Sequence, residues 1–306
     1  MRVAGAKNAV SVAAAGLLVA IAAGPVSGQR LLEEWQVRTT AGAEAMVTGA
    51  SAVFWNPAQV QVGEGAVEAM VLDLRGPGIT GIEGVAAAGA YVLDERTVIA
   101  VGYEHVGVSG IERTTDSPDG GSPIDFGENR FGVAASHRLG GATRVGALMR
   151  YTRLPAASYT DANGNATGHA ESVVALGVGV RHRPLAALPL DIAGMVATEG
   201  AEAYWLAGAE FASDLRWPEW GVRAEYGAAG GQLAPGITHR AAGTAEWNDQ
   251  VELTLGAVSE PDGTGRSLQP VLGAALRITR YTLGAVREQL PNEFGSAYSF
   301  RFSVVF

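Results

Sequence analysis

The sequence predicts an all-β fold: a transmembrane antiparallel up-and-down β-barrel of about 14 strands, with an N-terminal hatch segment inside it. Three observations predict it. Apolar residues make up 47% of the 306 positions and charged residues 17%, yet beyond the N-terminus no run approaches the roughly 20 apolar residues of a spanning helix. Along 298–306, Tyr298, Phe300, Phe302, Val304 and Phe306 fall on one face of a strand while Ser299, Arg301 and Ser303 fall on the other. The connections between successive alternating segments sort by length, short after even strands and long after odd ones, as a membrane barrel requires.

The first segment stands apart from the fold. Arg2 and Lys7 precede an apolar run over 9–23, and Val26-Ser27-Gly28 offers small residues before Gln29, so residues 1–28 read as a secretory signal peptide. Residues 29–63 are neither helical nor alternating. They contain Ser51-Ala52-Val53-Phe54-Trp55-Asn56-Pro57-Ala58, in which the proline fixes its own φ and pushes Asn56 out of the helical region. This compact, small-residue-rich stretch is the expected plug, and the barrel occupies 64–306.

From Ala66 onward, strands are expected near 66–75, 81–93, 97–109, 128–138, 143–154, 171–183, 189–199, 204–212, 220–228, 238–248, 249–259, 267–278, 280–290 and 296–306. With a periplasmic N-terminus, the short connections at 94–96, 139–142, 248–249 and 279–280 are inner turns. The long ones at 110–127, 155–170, 229–237 and 260–266 are outer loops. Two connections fit less well: the first outer loop, 76–80, is short, and the inner turn at 213–219 is long. Gly140-Gly141 and Gly230-Gly231 are assigned to turns. Pro270 cannot donate to a ladder, so the twelfth strand either bulges there or begins after it.

Alternation assigns the faces. Trp220, Val222, Ala224 and Tyr226 oppose Arg223 and Glu225; Val145, Ala147, Met149 and Tyr151 oppose Arg144 and Arg150; Val251, Leu253 and Leu255 oppose Glu252 and Thr254. A lipid-facing arginine near the bilayer midplane costs roughly 2–4 kcal/mol, so Arg144, Arg150, Arg223, Glu225, Glu252 and Arg301 are expected to line the lumen. Tyr91, Trp205, Trp217, Trp220, Tyr226, Trp247 and Tyr281 sit near expected strand ends, where interfacial girdles form. About fourteen strands is fewer than the 16 to 18 of open porins, which favours a filled interior.

Chemistry is sparse. The chain has no cysteine, so disulfides and thiolate metal sites are excluded, and its net charge of -9 argues against nucleic acid. His105, His137, His169, His182 and His239 are scattered, without a pair at metal-ligand spacing. Ser136 and His137 are adjacent on a strand and point to opposite faces. The run Asp161-Ala162-Asn163-Gly164-Asn165-Ala166-Thr167 begins like a calcium loop, but Ala166 stands where glycine is needed and Ser172 where glutamate is needed; a polar hairpin with an Asn-Gly turn explains it better. No catalytic residue, cofactor site or metal site is expected, and the chain is not read as an enzyme.

Two resemblances add to this reading. The closing strand, with Tyr298, Phe300, Phe302, Val304 and Phe306, resembles the C-terminal assembly signal of bacterial outer-membrane barrels. That resemblance implies a cell outer-membrane location, with outer-membrane lipid and the barrel assembly machinery as partners. The stretch ending in Asn56, Pro57 and Ala58 resembles the hatch motif of the long-chain fatty acid (FadL-like) outer-membrane transporter superfamily, which includes the PorV/PorQ-type barrels of type IX secretion. The Gly-Leu usual after that motif is Gln59-Val60 here. The resemblance implies either uptake of hydrophobic small molecules or a shuttle and anchor that holds secreted-protein C-terminal domains, with the short first outer loop tilting toward the latter. A small nonspecific pore or a structural barrel is the alternative.

Overall fold

The computed structural model describes residues 41–63, 65–76, 82–111, 124–154, 159–160, 166–167, 171–185, 188–200, 202–217, 220–231, 236–261, 265–289 and 295–306. The expected signal peptide, the first part of the expected hatch (29–40), His169 and Pro218 lie outside the described residues. So do residues 161–165, most of the calcium-like run.

Sixteen strands follow one another: β1 (Val67–Arg75), β2 (Ile82–Val92), β3 (Thr97–Ile111), β4 (Ile124–Arg138), β5 (Thr143–Leu154), β6 (Tyr159–Thr160), β7 (Ala166–Thr167) and β8 (Glu171–His182). The second half contributes β9 (Leu190–Glu199), β10 (Glu202–Trp217), β11 (Trp220–Gly231), β12 (Thr238–Trp247), β13 (Val251–Pro261), β14 (Arg266–Ile278), β15 (Tyr281–Gln289) and β16 (Ser296–Val305). Strands β1–β5 and β8–β16 close into one barrel of 14, each pairing antiparallel with its sequence neighbour. The pair β6–β7 forms a separate two-stranded sheet in the β5–β8 connection, which is the hairpin expected there.

Closure is made by β16 on β1, with Val71 opposite Phe302 and Arg75 opposite Tyr298. The amides of Ala66 and Val67 donate to the Phe306 carbonyl, and the Phe306 amide donates back to Val67. A sheet in a bilayer has no water to satisfy an open edge, so closure is what makes these strands viable as spans. Among the described residues no helix is long and apolar enough to cross a membrane. We call the end of the barrel that holds Val67 and Phe306 the turn end, and the opposite end the loop end.

The distribution of apolar side chains is the inverse of a soluble protein's. Val101, Phe131, Met149, Leu176, Val222, Leu255, Leu268, Leu283 and Phe300 all stand exposed on the outer face. Lumenal positions are small, polar or charged except where Met70, Leu72, Leu148 and a few other apolar residues are buried inside. At the turn end, aromatic groups collect on the outside: Trp220 faces Trp247 across β11 and β12, Tyr281 stacks on Phe302 at 6.0 Å, and Arg280 lies over the rings of Tyr281 and Phe306. The first inner turn is closed by Asp94, whose carboxylate accepts from the Arg96 and Thr97 amides at 2.8 and 2.9 Å. Those bonds hold its carboxyl below the usual carboxylate range.

Four local expectations are corrected. Pro270 neither bulges nor starts the strand: β14 runs through it in unbroken register, opposite Ala257. The β14–β15 ladder begins one residue later, at Val271, so the missing amide hydrogen falls beside the end of a ladder. In the long inner turn expected at 213–219, residues 213–217 are strand instead. β10 extends to Trp217, which faces Trp220, and a register shift between Ser213 and Trp217 absorbs the extra residues. Gly230-Gly231 is not a turn but the end of β11, where Gly230 lies under the Trp205 ring. Tyr226 stands in the middle of β11, its hydroxyl 2.7 Å from His239 Nδ1 on the outer face.

Candidate functional site

The lumen holds residues 41–60, and the seat that receives them is the most constructed feature of the molecule. This inner segment folds as three short 3-10 turns, Glu44–Met46, Ala50–Phe54 and Pro57–Gln59. Gly49 starts the second with φ 87°, a conformation that favours glycine. Asn56 caps the third: its Oδ1 accepts from the Ala58 amide at 3.1 Å, and Pro57 occupies the first turn, where its missing donor is not needed. Ala50, Ala52, Val53, Ala58 and Val60 are fully buried and pack against lumenal Met70, Leu72, Ala86, Ala100 and Leu148.

The barrel wall is cut to this shape by glycine. A Cβ on Gly146 would stand 2.3 Å from the Pro57 carbonyl carbon, and one on Gly179 would stand 2.0 Å from Asn56 Oδ1. On Gly102 it would meet Val53 at 2.6 Å, on Gly208 Met46 at 3.1 Å, on Gly227 Ala43 at 2.7 Å and on Gly273 Ala41 at 2.9 Å. These positions lie on β3, β5, β8, β10, β11 and β14, so the seat runs around the lumen. Side chains rarely approach that closely; the glycines admit the inner segment's side chains and, at Gly146, its backbone against the sheet.

Polar contacts fix the segment in place. Asn56 Nδ2 donates to the Ala45 carbonyl at 3.3 Å and to Val180 of β8 at 3.4 Å. Ser136 Oγ donates to the Ala58 carbonyl at 3.3 Å, while its neighbour His137 stands outside, 3.0 Å from Thr97 Oγ1. Two wall carboxylates accept from inner-segment amides: Glu68 from Ala50 at 3.1 Å and Glu225 from Ala43 at 3.0 Å. Glu44 reaches Arg240, which also pairs with Glu288. Gln59, noted in the sequence as a departure from the hatch pattern, is fully buried and donates to the Ala45 carbonyl at 3.2 Å.

The charged groups fall into two arcs. On β3, β4, β5, β9 and β10, Arg130 pairs with Glu104 and Glu128, and Arg150 pairs with Glu199 at 3.1 Å and with the Tyr204 hydroxyl at 3.0 Å. Thr152 Oγ1 also donates to Glu199. Arg150 is only 4% exposed. On β10–β14 the buried Arg240 is the exception, and the groups around Arg223 and Arg277 are wetter. Arg223, with a side chain 30% exposed, lies among Glu210, Glu225 and Glu252 at 3.6, 2.9 and 3.5 Å, and the half-exposed Arg277 pairs with Glu246.

All six charged residues singled out in the sequence stand on the inner face. Arg223, Glu225 and Glu252 are brought together, and Arg150 joins the dry lattice. Arg144 makes no ion pair among the described residues; Arg138 and Arg181 stand directly across from it, and Asp191 pairs with Arg181 and Arg183. Arg301 lies on the inner face of β16, and its outward neighbours Tyr298, Phe300, Phe302 and Phe306 are exposed. Val304 shares their face but is covered, with Tyr281 and Ala69 on either side.

Sequence reasoning missed the wall glycines, Glu68, Glu44, Arg240, Glu288 and the acids of the lattice. Alternation marks each of the wall residues as inward-facing, but only the closed sheet brings them together with the inner segment and its Glu44. Among the described residues no group of His, Asp and Glu is arranged to hold a metal ion.

No protein-family model matches the chain, and no curated protein matches its sequence. Solved structures do share its fold. A TodX deltaS2S3 mutant, a monoaromatic hydrocarbon channel, superposes with a TM-score of 0.59 at 11% identity, covering 87% of this chain and 96% of that one. The toluene transporter TbuX of Ralstonia pickettii gives 0.54 at 13% identity, covering 87% and 95%. A TodX deltaS2 mutant gives 0.51 at 12%, covering 90% and 98%. At such identities the likeness is one of fold alone: this chain shares the closed β-barrel architecture of those proteins.

Proposed function

We propose that this protein is an outer-membrane channel that passes small hydrophobic molecules by passive diffusion, with residues 29–63 as its hatch. The observation that carries the reading is the glycine-cut seat, since a wall tailored to an inner segment belongs to a plugged conduit and not to an open pore. The lipid-facing apolar belt and the fold shared with hydrocarbon channels support it. In this reading 1–28 is the export signal and the aromatic face of β16 is the assembly signal. The turn end faces the periplasm. Purified protein in liposomes is expected to speed entry of toluene or a long-chain fatty acid over protein-free vesicles. Equal entry rates would overturn the proposal.

A second reading, a shuttle or anchor barrel of type IX secretion, is favoured by one feature. β9 ends at Glu199 and β10 begins at Glu202, so this loop-end connection is as short as an inner turn and leaves the mouth open to a large partner. Co-purification with secreted-protein C-terminal domains is expected if it holds, and their absence under gentle extraction removes it.

A further inference from the structure

The inner segment does not fill the whole lumen. Beside Ala41 a small cavity remains against the β13–β16 wall, lined by Glu252, Thr254, Gly284, Ser299 and Arg301. Its cation, the half-buried Arg301, shares with Arg144 the lack of a carboxylate partner among the described residues. Arg130, Arg150, Arg223, Arg240 and Arg277 each have a carboxylate within 3.6 Å. No hydrogen bond or ion pair joins Arg301 to another described residue; Glu252 and Glu68 act on it only through space. Both acids are engaged elsewhere, Glu252 with Arg223 and Glu68 with the Ala50 amide.

A guanidinium withdrawn from bulk water is ordinarily matched by an anion, and its planar fork fits a carboxylate in two parallel hydrogen bonds. The wall leaves room for one. Gly284 stands directly opposite Arg301 on the cavity wall, and its missing side chain keeps that space clear, since a Cβ there would already touch Arg301 Nε at 3.6 Å. Ser299 adds a hydroxyl one inward step along β16. Thr254 Oγ1 is shared with Thr244 at 3.0 Å, which leaves Ser299 as the available donor. On the loop side Ala41, Val258, Val271 and Val286 pack together beside the space.

We propose that this pocket binds the carboxylate of a small organic acid, acetate- to glycine-sized, with Arg301 as the principal partner and Ser299 as a second donor. The same carboxylate has two sources, a simple acid or an α-amino acid whose ammonium Glu252 would meet. The inference stands apart from hydrophobic transport and does not require it.

The test is ligand-detected saturation-transfer NMR on the full chain in detergent micelles, with acetate, glycine and methylammonium as separate probes. Acetate is expected to show transfer in the wild type, to lose it in Arg301→Gln, to regain part of it in Arg301→Lys and to weaken several-fold in Ser299→Ala. Unboiled gel mobility should be unchanged in all three. A stronger glycine signal that Glu252→Gln abolishes identifies an amino acid; equal acetate and glycine signals identify a simple acid. Absence of transfer in the wild type, an undiminished signal in folded Arg301→Gln, or equal transfer to methylammonium overturns the proposal.

Discussion

The two arcs of the lumen hold the same inner segment by different means. Along β3–β10 the segment presents Val53, Asn56 and Pro57, its bulkier and capped parts, against Gly102, Gly179 and Gly146, beside a dry lattice centred on Arg130 and Arg150. Along β11–β16 it presents Ala41 and Ala43 to Gly273 and Gly227 and sends Glu44 to the buried Arg240, while the charges around Arg223 are partly wet. Buried ion pairs have little give, because moving one partner leaves the other uncompensated, whereas wet pairs exchange with water at small cost. One side of the seat is therefore a fixed abutment and the other a compliant one.

The largest effect that would sharpen this contrast lies in the lattice. Arg150→Met is expected to destabilise the barrel by about 3–5 kcal/mol, because it strands Glu199 as a buried charge. Denaturant titration followed by unboiled gel mobility would measure it, and a loss below 1 kcal/mol would make the two arcs equivalent. Next comes the compliant arc's own strand. Phe302→Arg is expected to cost roughly 2–4 kcal/mol by placing charge in lipid, while Arg301→Leu beside it folds normally. Equal assembly of both variants would mean that the facing of β16 is wrong.

Gly146→Ala follows, at about 1–3 kcal/mol, because its Cβ meets backbone that cannot yield. Gly243→Ala, with no atom within 4 Å of the added carbon, is its control. A chymotrypsin site that opens at Phe54 or Trp55 in the first and not the second would show that the seat itself has failed. Smallest is Arg277→Gln in the wet arc, expected to change stability by less than about 1 kcal/mol since the arginine is half exposed. A change comparable to that of Arg150→Met would erase the distinction.

How much of this was legible follows from what sets each feature. The bilayer imposes period-2 alternation on every span, so the fourteen barrel strands and the inward facing of Arg223, Glu252 and Arg301 could be read from local pattern. Asn56-Pro57 was legible because a cap and a proline are local chemistry. The seat was not. Gly146 reads as an ordinary strand glycine until Pro57 is laid on it, and Arg150 meets Glu199 only after the intervening strands have paired. Pro270 and the long end of β10 were misjudged for a related reason: a ladder's end and a register shift belong to the neighbouring strand as much as to the residue itself.

The junction of Phe306 with Ala66 and Val67 bears on the order of events in assembly. Because the last strand completes the ladder of the first, the ring can shut only after every intervening strand is in place. Residues 41–60 lie inside that ring, with wall contacts on strands from β1 to β14. They must be gathered in while the seam still stands open, or be threaded later through a mouth already narrowed by charge pairs. The closing bond is thus also a latch in time: once made, it traps whatever the lumen then holds.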